Sequence, residues 1–209
     1  YPHLCIGGMV PNPHSVLRPA LDHLWTNYLT DKQGMPLIKI HGFAMTSFPL
    51  MVRYPWYSVD SKSWIDFARF GWILVPRLTL TGKKNYLHPV RIGVSNHAVE
   101  KRADSHLLRK MDAGTRRKVL EFVQSFGIGI GKSEYKNVDA DYELEENESW
   151  FDKPEDGRGG KVEIVVEPGI TNSYIARMDV NICIFREIEK ALPVWPWSFK
   201  ATRTQGILR

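Results

Sequence analysis

The sequence predicts an α/β protein. Residues 1–80 read as βα units of a parallel sheet or barrel, and residues 81–209 as a basic α+β extension. Three observations carry this. Short apolar runs alternate with helical patterns through the first part of the chain, which is the rhythm of parallel α/β units. After residue 80 that rhythm gives way to a basic, irregular stretch, "GKKNYLHPVRIGVSNHAVEKRADSHLLRKM". The second part also carries an acidic run, 139–156, and a long C-terminal helical pattern.

Taken in order, "LCIGGMV" (4–10) reads as a buried strand ending in a Gly-Gly turn. "HSVLRPALDHLWTNYLT" (14–30) reads as a helix, because Val16, Leu17, Leu21, Leu24, Trp25 and Tyr28 fall on one face. Pro19 is expected in its first turn, where a missing N–H costs little. "PLIKIHGF" (36–43) is a second strand. "TSFPLMVRY" (46–54) is a short helix capped by Thr46 or Ser47, with Pro49 in its first turn. "WYSV" (56–59) is a third strand. "SKSWIDFARFG" (61–71) is a helix stopped by Gly71, and "WILVP" (72–76) a fourth strand closed by Pro76. Further on, "AGTRRKVLEFVQSFG" (113–127) is a helix capped by Thr115, and "IGIGKSEY" is a Gly-punctuated loop. "KVEIVVE" (161–167) is a strand and "TNSYIARMDVNICIFREIEKAL" (171–192) a long helix.

Charge is segregated. The net charge is +5, yet residues 139–156 hold nine acids and one lysine, a net of −8. The rest holds 27 basic and 14 acidic residues, a net of +13. A body that basic favours a polyanionic partner, and nucleic acid is the first candidate. Lys83, Lys84 and Arg91, with the run Arg116, Arg117 and Lys118, are the candidate phosphate contacts; the plainer alternative is a solvated helix face. The acidic run is expected to be an exposed, mobile loop. No apolar run approaches the ~18 residues of a membrane span. Cys5 and Cys183 read as buried, reduced thiols of a cytoplasmic protein, and no close cysteine pair begins a zinc site. The chain opens on Tyr1 inside an apolar stretch, which reads as a cut through a longer sequence.

In parallel α/β units, chemistry gathers at the C-terminal ends of the strands. Gly7, Gly8 and Met9 stand at the first strand end, His41 and Gly42 at the second, and Asp60 at the third, between Ser58 and Ser61. Paired glycines let a flat ligand approach the backbone. His41 and Met9 can flank an aromatic ring, and Asp60 can attack or accept a proton. Each has a plainer reading: a tight turn, a hydrogen-bonded structural histidine, and for Asp60 a helix N-cap. Asp22, His23 and His41 make a metal set of unconvincing spacing, so no metal site is expected.

The succession "IGGM", "IKIHGFA", "YSVDSKSW" resembles the last three strands of the tRNA-guanine transglycosylase superfamily barrel. In that family a Gly-Gly-Leu strand end binds the base, a Met-Gly-Val-Gly end packs on it, and a Gly-Ile-Asp-Met-Phe-Asp end supplies the nucleophilic aspartate. Gly7, Gly8 and Met9 match the first. His41 and Gly42 stand where the second has Met-Gly, and Ser58, Val59 and Asp60 where the third has Gly-Ile-Asp. "NICIFREIEKAL" resembles the family's C-terminal helix. "SVDS-x-SW" most resembles the branch, found in phages and bacterial genomic islands, that inserts 7-deazaguanine bases into DNA. Two features depart from the family. Its nucleophile lies three residues after the first aspartate, which here is Ser63, so the role falls to Asp60. No Cys-x-Cys-x-x-Cys zinc cluster is present, which favours DNA over tRNA.

The resemblance implies the C-terminal portion of a TIM-type (β/α)8 barrel with a small α+β extension. It implies exchange of guanine for a 7-deazaguanine base through a covalent aspartyl-nucleotide intermediate, with no cofactor. Three or four strands do not close a barrel, so a partner subunit or an N-terminal half is expected. The site would be in the cytoplasm, that of the host if phage-encoded. The competing reading is a non-catalytic nucleic-acid-binding subunit, favoured by Ser63.

Overall fold

The structure is a computed structural model, and it describes the chain outside residues 1, 11, 46, 79–82, 98–106, 108–110, 156–157 and 201–209. The chain divides into two compact units: Tyr1–Ser63 with Ile188–Arg209, and Trp64–Glu187.

The first unit carries β1 (His3–Ile6), β2 (Lys39–Gly42) and β3 (Ser58–Val59), paired in parallel in that order. Cys5 lies opposite His41, and His41 opposite Ser58. Between β1 and β2 runs α1 (His14–Leu24), which widens into a π-helical turn over Trp25–Leu29. Leu21, Trp25 and Leu29 form the buried stripe, while Val16 and Tyr28 stay exposed. The wide turn rotates Tyr28 off the face that a regular helix would give it. Pro19 sits inside α1 rather than in its first turn. The carbonyl it leaves without a donor is that of Ser15, an exposed residue, where water serves. Between β2 and β3, α2 (Phe48–Arg53) has Pro49 in its first turn and Ser47 as its cap, with the Leu50 N–H donating to Ser47 Oγ at 3.4 Å. Thr46, the other expected cap, lies outside the described residues.

An aromatic cluster forms this unit's core. Trp25 stacks on Tyr54 and meets Trp56 edge-on, with ring centroids 5.9 and 5.5 Å apart. Phe199 closes on Tyr54 at 5.2 Å, and its N–H donates to the Gly34 carbonyl. Such pairs each contribute about 0.5–1.5 kcal/mol beyond the area they bury. Cys5 is exposed and Cys183 half-buried, so the expectation of two buried thiols fails.

The second unit overturns the expected barrel. After α3 (Ser63–Arg69), β4 (Trp72–Leu78) does not extend a parallel sheet. It pairs antiparallel with β5 (Lys84–Gly93), Trp72 opposite Gly93. Residues 79–83 join the two, far short of the roughly dozen residues that a parallel crossover needs. A further antiparallel sheet holds β6 (Lys132–Val138), β7 (Glu148–Asp152) and β8 (Gly160–Glu167) in the order β6-β8-β7. The described residues thus form three small open sheets with five α-helices, a mixed α/β fold with no portion of a TIM-type barrel.

Several local expectations change with it. β4 continues through Pro76, where a register shift accommodates the missing donor. The basic stretch after residue 80 contains the ten-residue β5. α4 (Ala113–Gln124) is capped by Asp112, whose carboxylate accepts the Thr115 N–H at 2.9 Å, so Thr115 is not the cap. "IGIGKSEY" runs into β6 rather than staying a loop. The acidic run is not a loop throughout, because it holds β7. There Glu148 pairs with Lys136 at 2.6 Å and accepts the Tyr142 O–H at 2.9 Å. Finally, α5 (Tyr174–Ala191) buries Arg177, Val180, Asn181, Ile184 and Ile188 along one stripe.

Candidate functional site

Parallel pairing of β1, β2 and β3 brings their C-terminal ends, Ile6, Gly42 and Val59, to one edge. The segments that leave this edge are tied together. The Phe43 N–H donates to the Ile6 carbonyl at 2.9 Å, and the Asp60 N–H to the Gly42 carbonyl at 3.2 Å. The Asp60 carboxylate accepts the Ala44 N–H through Oδ1 at 2.6 Å. Its Oδ2 lies 3.8 Å from His41 Nε2. The other ring nitrogen of His41 is hydrogen-bonded to Ser58 Oγ at 2.9 Å, and the ring meets Phe43 edge-on at 4.7 Å. Four side chains from β2, β3 and the turns after them therefore converge on one point.

Asp60 is not a helix cap. That role goes to Ser61, whose Oγ accepts the Ser63 N–H at 3.0 Å. The Asp60 side chain is 57% exposed, and Ser63 is buried. Of the two candidate positions for an attacking group, only Asp60 reaches solvent.

The glycines divide by role. Gly8 has φ = 74°, a left-handed turn conformation, and its carbonyl accepts Asn12 Nδ2 at 2.9 Å. Nothing would meet a side chain there, so the surface above Gly8 is open. Gly7 lies beside Phe43. Gly42 answers to packing: a Cβ there would stand 3.2 Å from the Trp56 ring. Met9 is buried and lines a hollow of about 150 Å³ with Asn12, His14, Ala44 and Ser47. His14 Nε2 and Ser47 Oγ close its wall with a short hydrogen bond. This volume is below the ~300–1,000 Å³ of sites for whole small ligands, and suits part of one. The hollow reaches Ala44 but is not lined by Asp60, Gly7 or Gly8.

The basic candidates all belong to the second unit. Lys83 is exposed just before β5, and Lys84 begins that strand with Nζ 5.1 Å from the Phe122 ring centre. Arg91, on β5, lies over Phe67 and Trp72 at 5.3 and 5.5 Å. On α4, Arg117 pairs with Glu121 at 3.6 Å, Arg116 donates to the Met111 carbonyl and Lys118 is exposed.

Asp22 is committed elsewhere than a metal. It accepts Arg53 Nε and Nη2 at 2.8 and 2.9 Å and the Tyr54 O–H at 2.7 Å. Burial pushes its carboxyl up, but the bonds from Arg53 and Tyr54 outweigh that and hold it below the ordinary aspartate range. No cluster of three or more metal-ligating side chains occurs among the described residues. No helix among them is long and apolar enough to cross a membrane.

No family model, curated protein or solved structure matches this chain.

Two charged residues in the second unit escape the sequence reading. Glu163, on β8, is wholly buried and accepts Asn96 Nδ2 at 3.3 Å, the Tyr135 O–H at 3.1 Å and a short bond from His97. Burial pushes its carboxyl up, but the bonds from His97, Ser133 and Asn96 prevail and bring it down to about 2. Arg177 is 6% exposed and donates to the carbonyls of Ala68 and Ile170 at 2.7 and 2.9 Å. The signals were present. Glu163 interrupts the run "VEIVV", and Arg177 and Asn181 stand four apart on the apolar stripe of α5.

Proposed function

We propose that this chain carries the nucleophile and part of the base site of a transglycosylase that replaces guanine in DNA with a 7-deazaguanine base. One observation carries the reading: a solvent-reaching carboxylate, Asp60, held at a parallel strand end beside His41 and the Ala44 amide. The reading rests on this edge and the strand-end sequences, not on a barrel.

Base exchange at C1′ is a double displacement. The Asp60 carboxylate attacks C1′ while the bond from C1′ to N9 of guanine breaks, and the electron pair leaves with the base. The incoming base then attacks C1′ through N9, displacing the carboxylate and losing its N9 proton. The bond to Ala44 orients Oδ1 and leaves Oδ2 as the attacking atom. His41, held by Ser58 through its far nitrogen, is placed to carry a proton to and from the base. Backbone N–H groups at Gly7 and Gly8 can meet the charge that develops on O6. The basic residues of β5 and α4, in the second unit, are the proposed phosphate contacts, and unstacking the target costs a few kcal/mol.

A second reading, a non-catalytic nucleic-acid-binding subunit, draws on the openness of Asp60, whose side chain is more than half exposed. Nucleoside mass spectrometry of DNA from cells making the full system decides between them. Modified deoxyguanosine that disappears with Asp60→Asn supports base exchange. Modification that persists in that variant removes Asp60 from the chemistry.

A further inference from the structure

A large cavity lies wholly within the second unit, and its lining is unusual. It measures about 980 Å³ and takes Arg69, Arg91 and Arg177 from α3, β5 and α5. Asp66 is the one carboxylate among its lining residues, so the cleft has a net positive charge. Phe70 and Tyr174, 73% and 48% exposed, also line it. Aromatic rings left this open beside arginines offer faces on which a flat ring can stack.

Arg177 is the telling residue. It is more than nine-tenths buried, yet no carboxylate pairs with it among the described residues. The buried acid that its charge feels, Glu163, is taken by His97, Asn96 and Tyr135. Two of its nitrogens donate to carbonyls, whereas Nη2 has no acceptor among the described residues. Burial pushes its guanidinium down to about 10, against the smaller opposing pull of Glu163. A buried charge of this kind is stabilised by an opposite charge with good geometry. Arg91 is already stacked on Phe67 and Trp72, and neither it nor Arg69 has a carboxylate partner among the described residues. The geometry therefore offers planar guanidinium donors for an oxyanion, with aromatic faces alongside.

We infer that this cleft binds a nucleoside phosphate, the phosphate on Arg69, Arg91 and Arg177 and the base stacked on Phe70 or Tyr174. Arginine matches the paired oxygens of phosphate, and stacking is tolerant of base identity. The volume falls within the range for ligands of this size. The same chemistry arises from a free mononucleotide or from one nucleotide of a single strand. The site uses no residue of the first unit and shares only Arg91 with the phosphate contacts proposed above, so Arg69→Ala tests it apart from base exchange at Asp60.

Calorimetric titration of the whole chain tests it, with guanosine 5′-monophosphate, guanosine, inorganic phosphate and a ten-residue thymidine oligonucleotide as probes. The monophosphate is expected to bind at least tenfold more tightly than guanosine or phosphate alone. Arg91→Ala and Arg69→Ala change exposed side chains and are expected to weaken it at least fivefold each while leaving the thermal transition in place. Phe70→Ala is expected to narrow the gap between the monophosphate and inorganic phosphate. An oligonucleotide tighter than the monophosphate assigns the site to a strand, and the reverse order assigns it to a free nucleotide. No binding of either nucleotide probe at millimolar concentration, binding indifferent to both arginine variants, or phosphate bound as well as the monophosphate overturns the inference.

Discussion

Asp60 holds Ala44 in a conformation that alanine rarely adopts. The Ala44 N–H donates to Asp60 Oδ1 at 2.6 Å, and Ala44 has φ = 52°. A left-handed conformation costs an L-residue roughly 1–2 kcal/mol, and a hydrogen bond to a charged acceptor returns about 1.5–3 kcal/mol at most. Because the carboxylate is more than half exposed, the lower end applies. The turn after β2 and the carboxylate after β3 thus fix one another, and that mutual hold leaves Oδ2 3.8 Å from His41 Nε2.

Asp60→Asn keeps an oxygen acceptor for Ala44, so the fold is expected to lose less than about 1 kcal/mol. Asp60→Ala removes it and should cost about 1–2 kcal/mol. Urea unfolding of the two variants separates them. Equal losses would show that the contact does not hold the turn.

Ala44→Gly relieves the left-handed strain at some cost in chain entropy. A gain of about 0.5 kcal/mol is expected in the same measurement. A loss would mean that the methyl group, not the backbone angle, matters at this turn.

Gly42→Ala drives a methyl group to within 3.2 Å of the Trp56 ring and 3.3 Å of Val59. Both are packed beneath the strand end, so a loss of about 1–3 kcal/mol is expected. Tryptophan fluorescence should shift as Trp56 gives way. An unchanged emission and melting temperature would return Gly42 to the ligand-binding list.

Glu163 makes the second unit acid-sensitive. Its carboxyl is held down at about 2 by bonds that outweigh burial, against an unfolded value near 4.5. A lowered folded value adds stability that is complete above about pH 4.5 and lost as pH falls toward 2. Glu163→Gln is expected to flatten that part of the stability–pH curve. It should also lower stability at pH 7 by about 3 kcal/mol, since His97 loses its charged partner. A curve of unchanged slope between pH 4.5 and 2 would contradict the assignment.

Arg53→Ala strips Asp22 of two hydrogen bonds and leaves it the Tyr54 O–H and Arg18 at 4.0 Å. A loss of about 2 kcal/mol is expected, read by denaturant unfolding. A loss under 0.5 kcal/mol would mark the pair as surface decoration.

How far the sequence speaks depends on the range of the interaction. The helices at 14–24, 48–53 and 113–124 follow from apolar spacing and turn chemistry within a few residues, and so do the strands ending at Ile6, Gly42 and Val59. The β5 strand was hidden because its burial comes from pairing with β4 rather than from its own alternation. β7 was hidden by the acids around it. Glu148 is tolerable in a strand because Lys136 lies within reach from β6, which no local pattern announces.

By itself the sequence determined most of the helices, the three parallel strands with Gly8 and Asp60 at their ends, and the basic body with its acidic insert. Only the tertiary structure decided that β4 turns back on β5, so that the sheets stay open, and that Ser61 rather than Asp60 caps α3. It alone placed Arg177 in a cleft without a carboxylate partner among the described residues. The physical reason is one of distance along the chain. Periodicity and capping act within a turn or two, whereas strand direction and charge compensation are settled by groups tens of residues apart that meet only once the chain has folded.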